Sequence, residues 1–93
     1  MALTLIFSLG REFYIQDDRY VVTAVGKKSG GRVKGPDGTF YDLSNTTSVE
    51  LTHGTRVSEG PKTDPTEVRI VFEASPKVTI LRGDLYRERR ATL

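Results

Sequence analysis

Glu67-Val68-Arg69-Ile70-Val71-Phe72-Glu73 is the stretch that decides the fold. Val68, Ile70 and Phe72 fall on one side, with Arg69 and Glu73 on the other. A period of two over seven residues marks a half-buried β-strand. Downstream, Ala74-Ser75-Pro76-Lys77 reads as a turn. Val78-Thr79-Ile80-Leu81-Arg82 reads as a final strand with Val78, Ile80 and Arg82 on one face. Gly83 to Arg90 suits a short helix, because Asp84 near its start and Arg87, Arg89 and Arg90 near its end complement the helix dipole. A segment that short does not hold a helix alone, so it must dock or fray.

Upstream the texture is also β. Leu3-Thr4-Leu5-Ile6-Phe7 is a strand that ends near Gly10. Glu12-Phe13-Tyr14-Ile15 is a second, Asp17-Asp18 turns the chain, and Arg19-Tyr20-Val21-Val22-Thr23-Ala24-Val25 is a third, rich in β-branched and aromatic residues. Gly26-Lys27-Lys28-Ser29-Gly30-Gly31 is a loop. The middle then fills with Gly30, Gly31, Gly35, Gly38, Gly54 and Gly60 and with Pro36, Pro61 and Pro65. Pro36-Asp37-Gly38 makes a turn between Arg32-Val33-Lys34 and Thr39-Phe40-Tyr41-Asp42-Leu43. Ser48 to Thr52 forms a further candidate strand, and Ser58 to Pro65 a mobile loop. The expected architecture is one all-β domain over residues 1–93 with a short C-terminal helix.

Composition narrows the function. The 93 residues are 37% hydrophobic and 28% charged, with mean hydropathy −0.36, which is globular rather than disordered. No apolar run approaches the ~18–20 residues that span a bilayer, so no membrane partner is expected. The first eight residues lack a basic region and a small-residue cleavage pattern, so no signal peptide is expected. There is no cysteine, which excludes disulfides, thiolate zinc sites, iron–sulfur clusters and a cysteine nucleophile, and suits the cytoplasm. His53 is the only histidine, which rules out His-pair metal sites and weakens a catalytic triad.

The remaining chemical candidates are bland. Asp17-Asp18 fits a solvated bend. The Gly26–Gly31 stretch lacks phosphate-loop spacing. His53 precedes Gly54 with no partner placed to form a constellation. The four tyrosines suit half-buried strand positions. No catalytic residue, cofactor or metal site is expected, and no enzyme.

Charge is mild overall, +2, but unevenly spread. The basic ends carry Arg11, Arg19, Lys27 and Lys28, then Arg69, Lys77, Arg82, Arg87, Arg89 and Arg90. The middle is acidic, with Asp37, Asp42, Glu50, Glu59, Asp64 and Glu67. Nine of the 14 cations are arginine, whose planar fork suits phosphate and guanine edges. An ordinary solvated surface accounts for the same pattern.

Without its irregular middle the body holds about 55 residues, and a core that small seldom supplies more than about 3–5 kcal/mol. Its first strand is apolar and lacks an obvious hairpin partner, and such an edge invites pairing with another chain. A homodimer completed by strand exchange is the expectation.

The two ends together resemble the CsrA/RsmA family of carbon storage regulators, small bacterial RNA-binding translational repressors. The residues that carry the resemblance are Leu3 to Gly10, Phe13 to Asp18, Tyr20 to Gly26, and, most specifically, Val68-Arg69-Ile70-Val71, Ala74-Ser75-Pro76, Val78 to Arg82 and Gly83-Asp84-Leu85-Tyr86. Residues 30–66 have no counterpart and read as an insertion between two strands, which costs little in loop entropy.

The resemblance implies an interleaved homodimer of small antiparallel sheets with a helix on each chain. Each of its two sites would grip a GGA element in an mRNA hairpin loop or leader. The first strand with Leu5, Ile6 and Phe7, the Ala74-Ser75-Pro76 turn, Val78, Ile80 and Arg82 would line each site. Arg82 matches the family's key arginine; the alternative is an arginine that caps the sheet or pairs with Asp84. Where the family has two basic residues late in the first strand, this chain has Phe7 and Ser8. That loss implies weaker phosphate attraction and a flatter salt dependence. Arg11 is placed to compensate, and Phe7 either stacks on a base or joins the core. The second functional reading is a β-rich protein-interaction module on the same dimer, with a degraded RNA face and a partner bound through the acidic insertion.

Overall fold

The computed structural model describes the backbone of residues 2–91 and the side chains of residues 2–89. Among the described residues nine strands and one α-helix follow in order: β1 (Ala2–Ser8), β2 (Glu12–Ile15), β3 (Asp18–Val25), β4 (Gly31–Lys34), β5 (Phe40–Leu43), β6 (Val49–Glu50), β7 (Arg56–Glu59), β8 (Glu67–Glu73), β9 (Ile80–Arg82) and α1 (Gly83–Ala91). They form two antiparallel sheets, ordered β1-β8-β7-β6 and β5-β4-β3-β2-β9. The molecule is therefore mostly β with one short C-terminal helix.

β8 behaves as its alternation requires: Val68, Ile70 and Phe72 are fully buried. Its neighbours follow its register. β1 pairs along its whole length, placing Leu3, Leu5 and Phe7 opposite Phe72, Ile70 and Val68. On the other flank Val57 of β7 lies opposite Phe72. The second sheet turns Phe13, Ile15, Tyr20, Val22, Val33 and Leu43 inward against this face.

Four rings join the two sheets. Phe13 lies 5.3 Å from Phe7, 5.3 Å from Tyr20 and 5.0 Å from Phe72, centroid to centroid, the last edge-to-face. Offset and edge-on ring pairs of this kind contribute beyond their buried area. The buried Tyr20 hydroxyl is satisfied by Thr52, sharing a hydrogen bond with its Oγ1 at 3.0 Å and accepting its N–H at 3.2 Å. This ties the 3-10 turn Thr52–Gly54 to the core.

Four expectations are corrected. The first strand has a partner, β8, within its own chain; the pairing is hidden in the sequence because the whole of residues 9–66 lies between the two strands. Residues 30–66 are not irregular. They carry β4 to β7, and Val33, Leu43, Leu51 and Val57 from this segment are core residues. The segment expected as a mobile loop begins as strand, since β7 includes Ser58 and Glu59 and the Gly60 N–H donates to the Arg69 carbonyl at 2.8 Å. The last strand is also shorter than expected, Ile80–Arg82, because Val78 is taken up by the turn that its N–H closes onto the Ser75 carbonyl.

The helix docks as its length demands. Tyr86 stacks on Tyr14 with centroids 3.7 Å apart, and its hydroxyl donates to Asp17 at 2.8 Å. Asp18 meets His53 at 3.0 Å. The Asp17-Asp18 bend thus fastens the helix on one side and the 3-10 turn on the other. The Arg90 side chain, expected at the helix end, lies outside the described residues.

Candidate nucleic-acid interface

β1 and β9 are each the outer strand of their sheet, so both leave backbone groups unpaired along one side. They come together at their C-terminal ends. The Arg82 guanidinium carbon sits 5.9 Å from the centre of the Phe7 ring. Arg82 reaches that position because its register partner is Phe13, which shares the inward face. Around this contact opens a cavity of about 360 Å³ lined by Phe7, Gly10, Arg11, Glu12, Arg82, Gly83, Asp84 and Arg87.

Each wall has a local cause. Gly10 turns the chain at φ +84, and its N–H donates to the Val22 carbonyl at 2.9 Å. The Val22 N–H in turn donates to the Arg11 carbonyl at 2.8 Å, which fixes where Arg11 leaves the backbone. Gly83 follows Arg82 directly, so the first turn of α1 forms the opposite wall. A Cβ on Gly83 would collide with the Glu12 side chain, which fits a glycine at that position.

The electrostatics are unbalanced in favour of cations. Glu12 pairs with Arg19 at 2.6 Å and with Arg87. Asp84 lies 3.7 Å from the Arg82 Nε, a loose pair on an exposed side chain. Surface pairs of that kind contribute little. Arg11 meets no carboxylate among the described residues. Three guanidinium groups therefore stand against two carboxylates, and one of those, Glu12, is also engaged by Arg19 outside the cavity.

The expected site residues divide. Phe7 and Arg82 meet. Leu5 and Ile80 are half-buried on the inward faces of the same two edge strands, as is Val78 just before β9. Ile6 points the other way and is 38% exposed. Phe7 is 2% exposed and belongs to the core, so its ring has no free face for a base. The Ala74-Ser75-Pro76 turn follows Glu73, which pairs with Ala2, so it sits at the end of β1 remote from Phe7. It is therefore not part of the arginine cavity. Glu12 and Arg87 are wall residues that sequence reasoning misses. They are 75 positions apart, and only the helix following β9 without a linker hints that its first turns stack here.

Elsewhere, no three His, Asp or Glu side chains converge as metal ligands among the described residues. No helix among them is long and apolar enough to cross a membrane. The Gly26–Gly31 loop is held to β7, since the Gly30 N–H donates to Glu59 at 2.7 Å.

No protein-family model matches the chain, and neither a curated protein nor a solved structure matches it.

Proposed function

We propose that the chain is an RNA-binding post-transcriptional regulator that takes a GGA-type loop or leader element at the β1–β9 seam. The observation that carries this reading is Arg82 poised over Phe7 beside Arg11 and Arg87, at the meeting point of two open strand edges. A guanidinium fork pairs with phosphate oxygens or with the O6 and N7 of guanine. Half-buried Leu5 and Ile80 offer apolar surface to sugars and bases. Splayed, single-stranded bases are the form in which RNA sequence is read.

The proposal extends to a cytoplasmic homodimer. In a strand-exchanged pair, β1 and β9 of one chain would make the β1–β8 and β2–β9 contacts on its partner. Domain swapping reuses such contacts, so it demands no new interface chemistry. Sedimentation that shows only monomer at micromolar concentration removes the dimer and leaves the RNA site untouched.

The test of the RNA site is a gel shift with GGA-containing and scrambled hairpins at two salt concentrations. The GGA hairpin is expected to bind more tightly and to weaken with salt. Arg82→Ala is expected to cost about 1–3 kcal/mol of affinity. Equal binding of both RNAs, or of neither, overturns the reading. Glu12 and Asp84 favour the second reading, a protein-interaction module, because carboxylates in the cavity repel phosphate. Deleting residues 32–64 would not isolate that function, since the deletion removes core residues.

A further inference from the structure

Helix α1 covers only part of the outer face of the five-stranded sheet. Its contacts are with β2 and β9, where Tyr86 stacks on Tyr14. Among the described residues, nothing covers the outer face over β3, β4 and β5. Val21, Lys34 and Phe40 stand in register across those three strands. With neighbouring strands about 4.8 Å apart, the row spans about 10 Å. Beside it runs a groove of about 630 Å³ whose walls include Asp17, Arg19, Val21, Thr23, Lys34 and Pro36, the Asp17 carboxylate being held by the Tyr86 hydroxyl.

Phe40 is the anomaly on this face. Its strand neighbours Tyr41 and Leu43 face the core, while Phe40 is 54% exposed. The Arg32 guanidinium carbon and the Lys34 ammonium lie 5.7 Å and 5.8 Å from its centre. Arg32 is already paired with Asp42 at 2.7 Å, whereas no ion pair is formed by Lys34 among the described residues.

We propose that this bare face is a stacking platform for single-stranded nucleic acid. One base lies on Phe40, and a phosphate that flanks it meets Lys34, while Arg19 is already paired with Glu12 at 2.6 Å. Every base has a flat π-face, and ring stacking beside a cationic track binds single strands with little sequence preference. An acidic peptide would satisfy the cations but would have no use for an exposed flat ring between them. The platform shares no residue with the Arg82 cavity. It rests on the RNA-binding reading for its ligand class, and it adds a second contact for the single-stranded flank of the same RNA.

The chain has no tryptophan, so Phe40→Trp introduces a unique fluorophore at the platform. Three RNA probes are used: a bare GGA hairpin, the same hairpin with a single-stranded flank of about eight nucleotides, and unstructured oligouridine of that length. Expected results are quenching of the Phe40→Trp variant by the flanked hairpin and by oligouridine. Phe40→Ala should lose about tenfold in affinity for the flanked hairpin and none for the bare one. Lys34→Ala should lower the salt slope for the flanked hairpin by about one.

A folded Phe40→Ala variant that binds the flanked hairpin like the wild type overturns the proposal. So does polyglutamate quenching the Phe40→Trp variant while RNA leaves it unchanged. If the bare hairpin fails to bind but oligouridine still quenches, the seam reading fails and the platform stands.

Discussion

The middle of the chain and the end where β1, β9 and α1 meet treat charge differently. In the middle, each arginine has its own carboxylate: Arg32 faces Asp42 at 2.7 Å, and Arg56 faces Glu50 at 3.4 Å. At the seam, Arg82 and Arg87 take up Asp84 and Glu12, Arg19 draws on Glu12 as well, and Arg11 has no carboxylate among the described residues. Arginines matched in this way offer an external anion little, which leaves Lys34 as a middle cation without an ion pair among the described residues. A set with surplus cations around an open cavity has capacity left for one. Net charge by sequence segment misleads here, because the carboxylate that pairs with Arg87, Glu12, comes from the other end of the chain.

The two regions are nonetheless one core, and its centre is where that unity breaks most severely. Phe13→Ala would remove the ring that touches Phe7, Tyr20 and Phe72, and so separate the two sheets at their joint. Urea unfolding is expected to show a loss of about 3–5 kcal/mol. A loss under about 1 kcal/mol would mean that the sheets are held together elsewhere.

A matched pair of valines sharpens the point with a smaller effect. Val57 belongs to the middle segment and Val68 to the C-terminal part, and they are 0% and 1% exposed on adjacent strands. Each truncation to alanine is expected to cost about 2 kcal/mol, from roughly 0.8 kcal/mol per buried carbon plus a cavity term. If residues 30–66 were an accessory on a self-sufficient body, Val57→Ala would be nearly silent in the same unfolding curves while Val68→Ala would not.

How much of the fold is legible in the sequence depends on range. The seven-residue alternation of β8 names its buried side chains without help from any other segment. The turn at Pro36-Asp37-Gly38 is equally plain, and Gly38 takes φ +86 there. Pairings between distant segments stay hidden. β1 shows no partner in the sequence around it. Val33, Leu43, Leu51 and Val57 sit in or beside strands of four residues or fewer, where alternation is too brief to read among glycines. The pairing of Arg82 with Asp84 is readable two positions away. Its placement over Phe7 depends on the edges of two sheets meeting, which no local pattern encodes.

The smallest expected effect is acid sensitivity, and it falls on the middle. Three aspartates there lie below the usual carboxylate range. Asp42 is lowered by its hydrogen bond with Arg32 and then by that group's charge. Asp37 is lowered by the Thr39 backbone N–H, and Asp64 by the Thr66 hydroxyl and then its N–H. A carboxyl whose pKa is lowered by folding stabilises the fold above its unfolded value, and that contribution disappears as pH falls through the folded value. All three are solvent-exposed, so the loss is modest and salt weakens the Asp42 share. Amide exchange in the β4–β5 hairpin should therefore quicken, relative to β1–β8, once pH drops below the ordinary carboxylate range. Asp42→Asn should already show the faster hairpin exchange at neutral pH and respond less to acid. Uniform acceleration across both sheets would show instead that acid acts on the shared core, and that the middle has no electrostatic independence of its own.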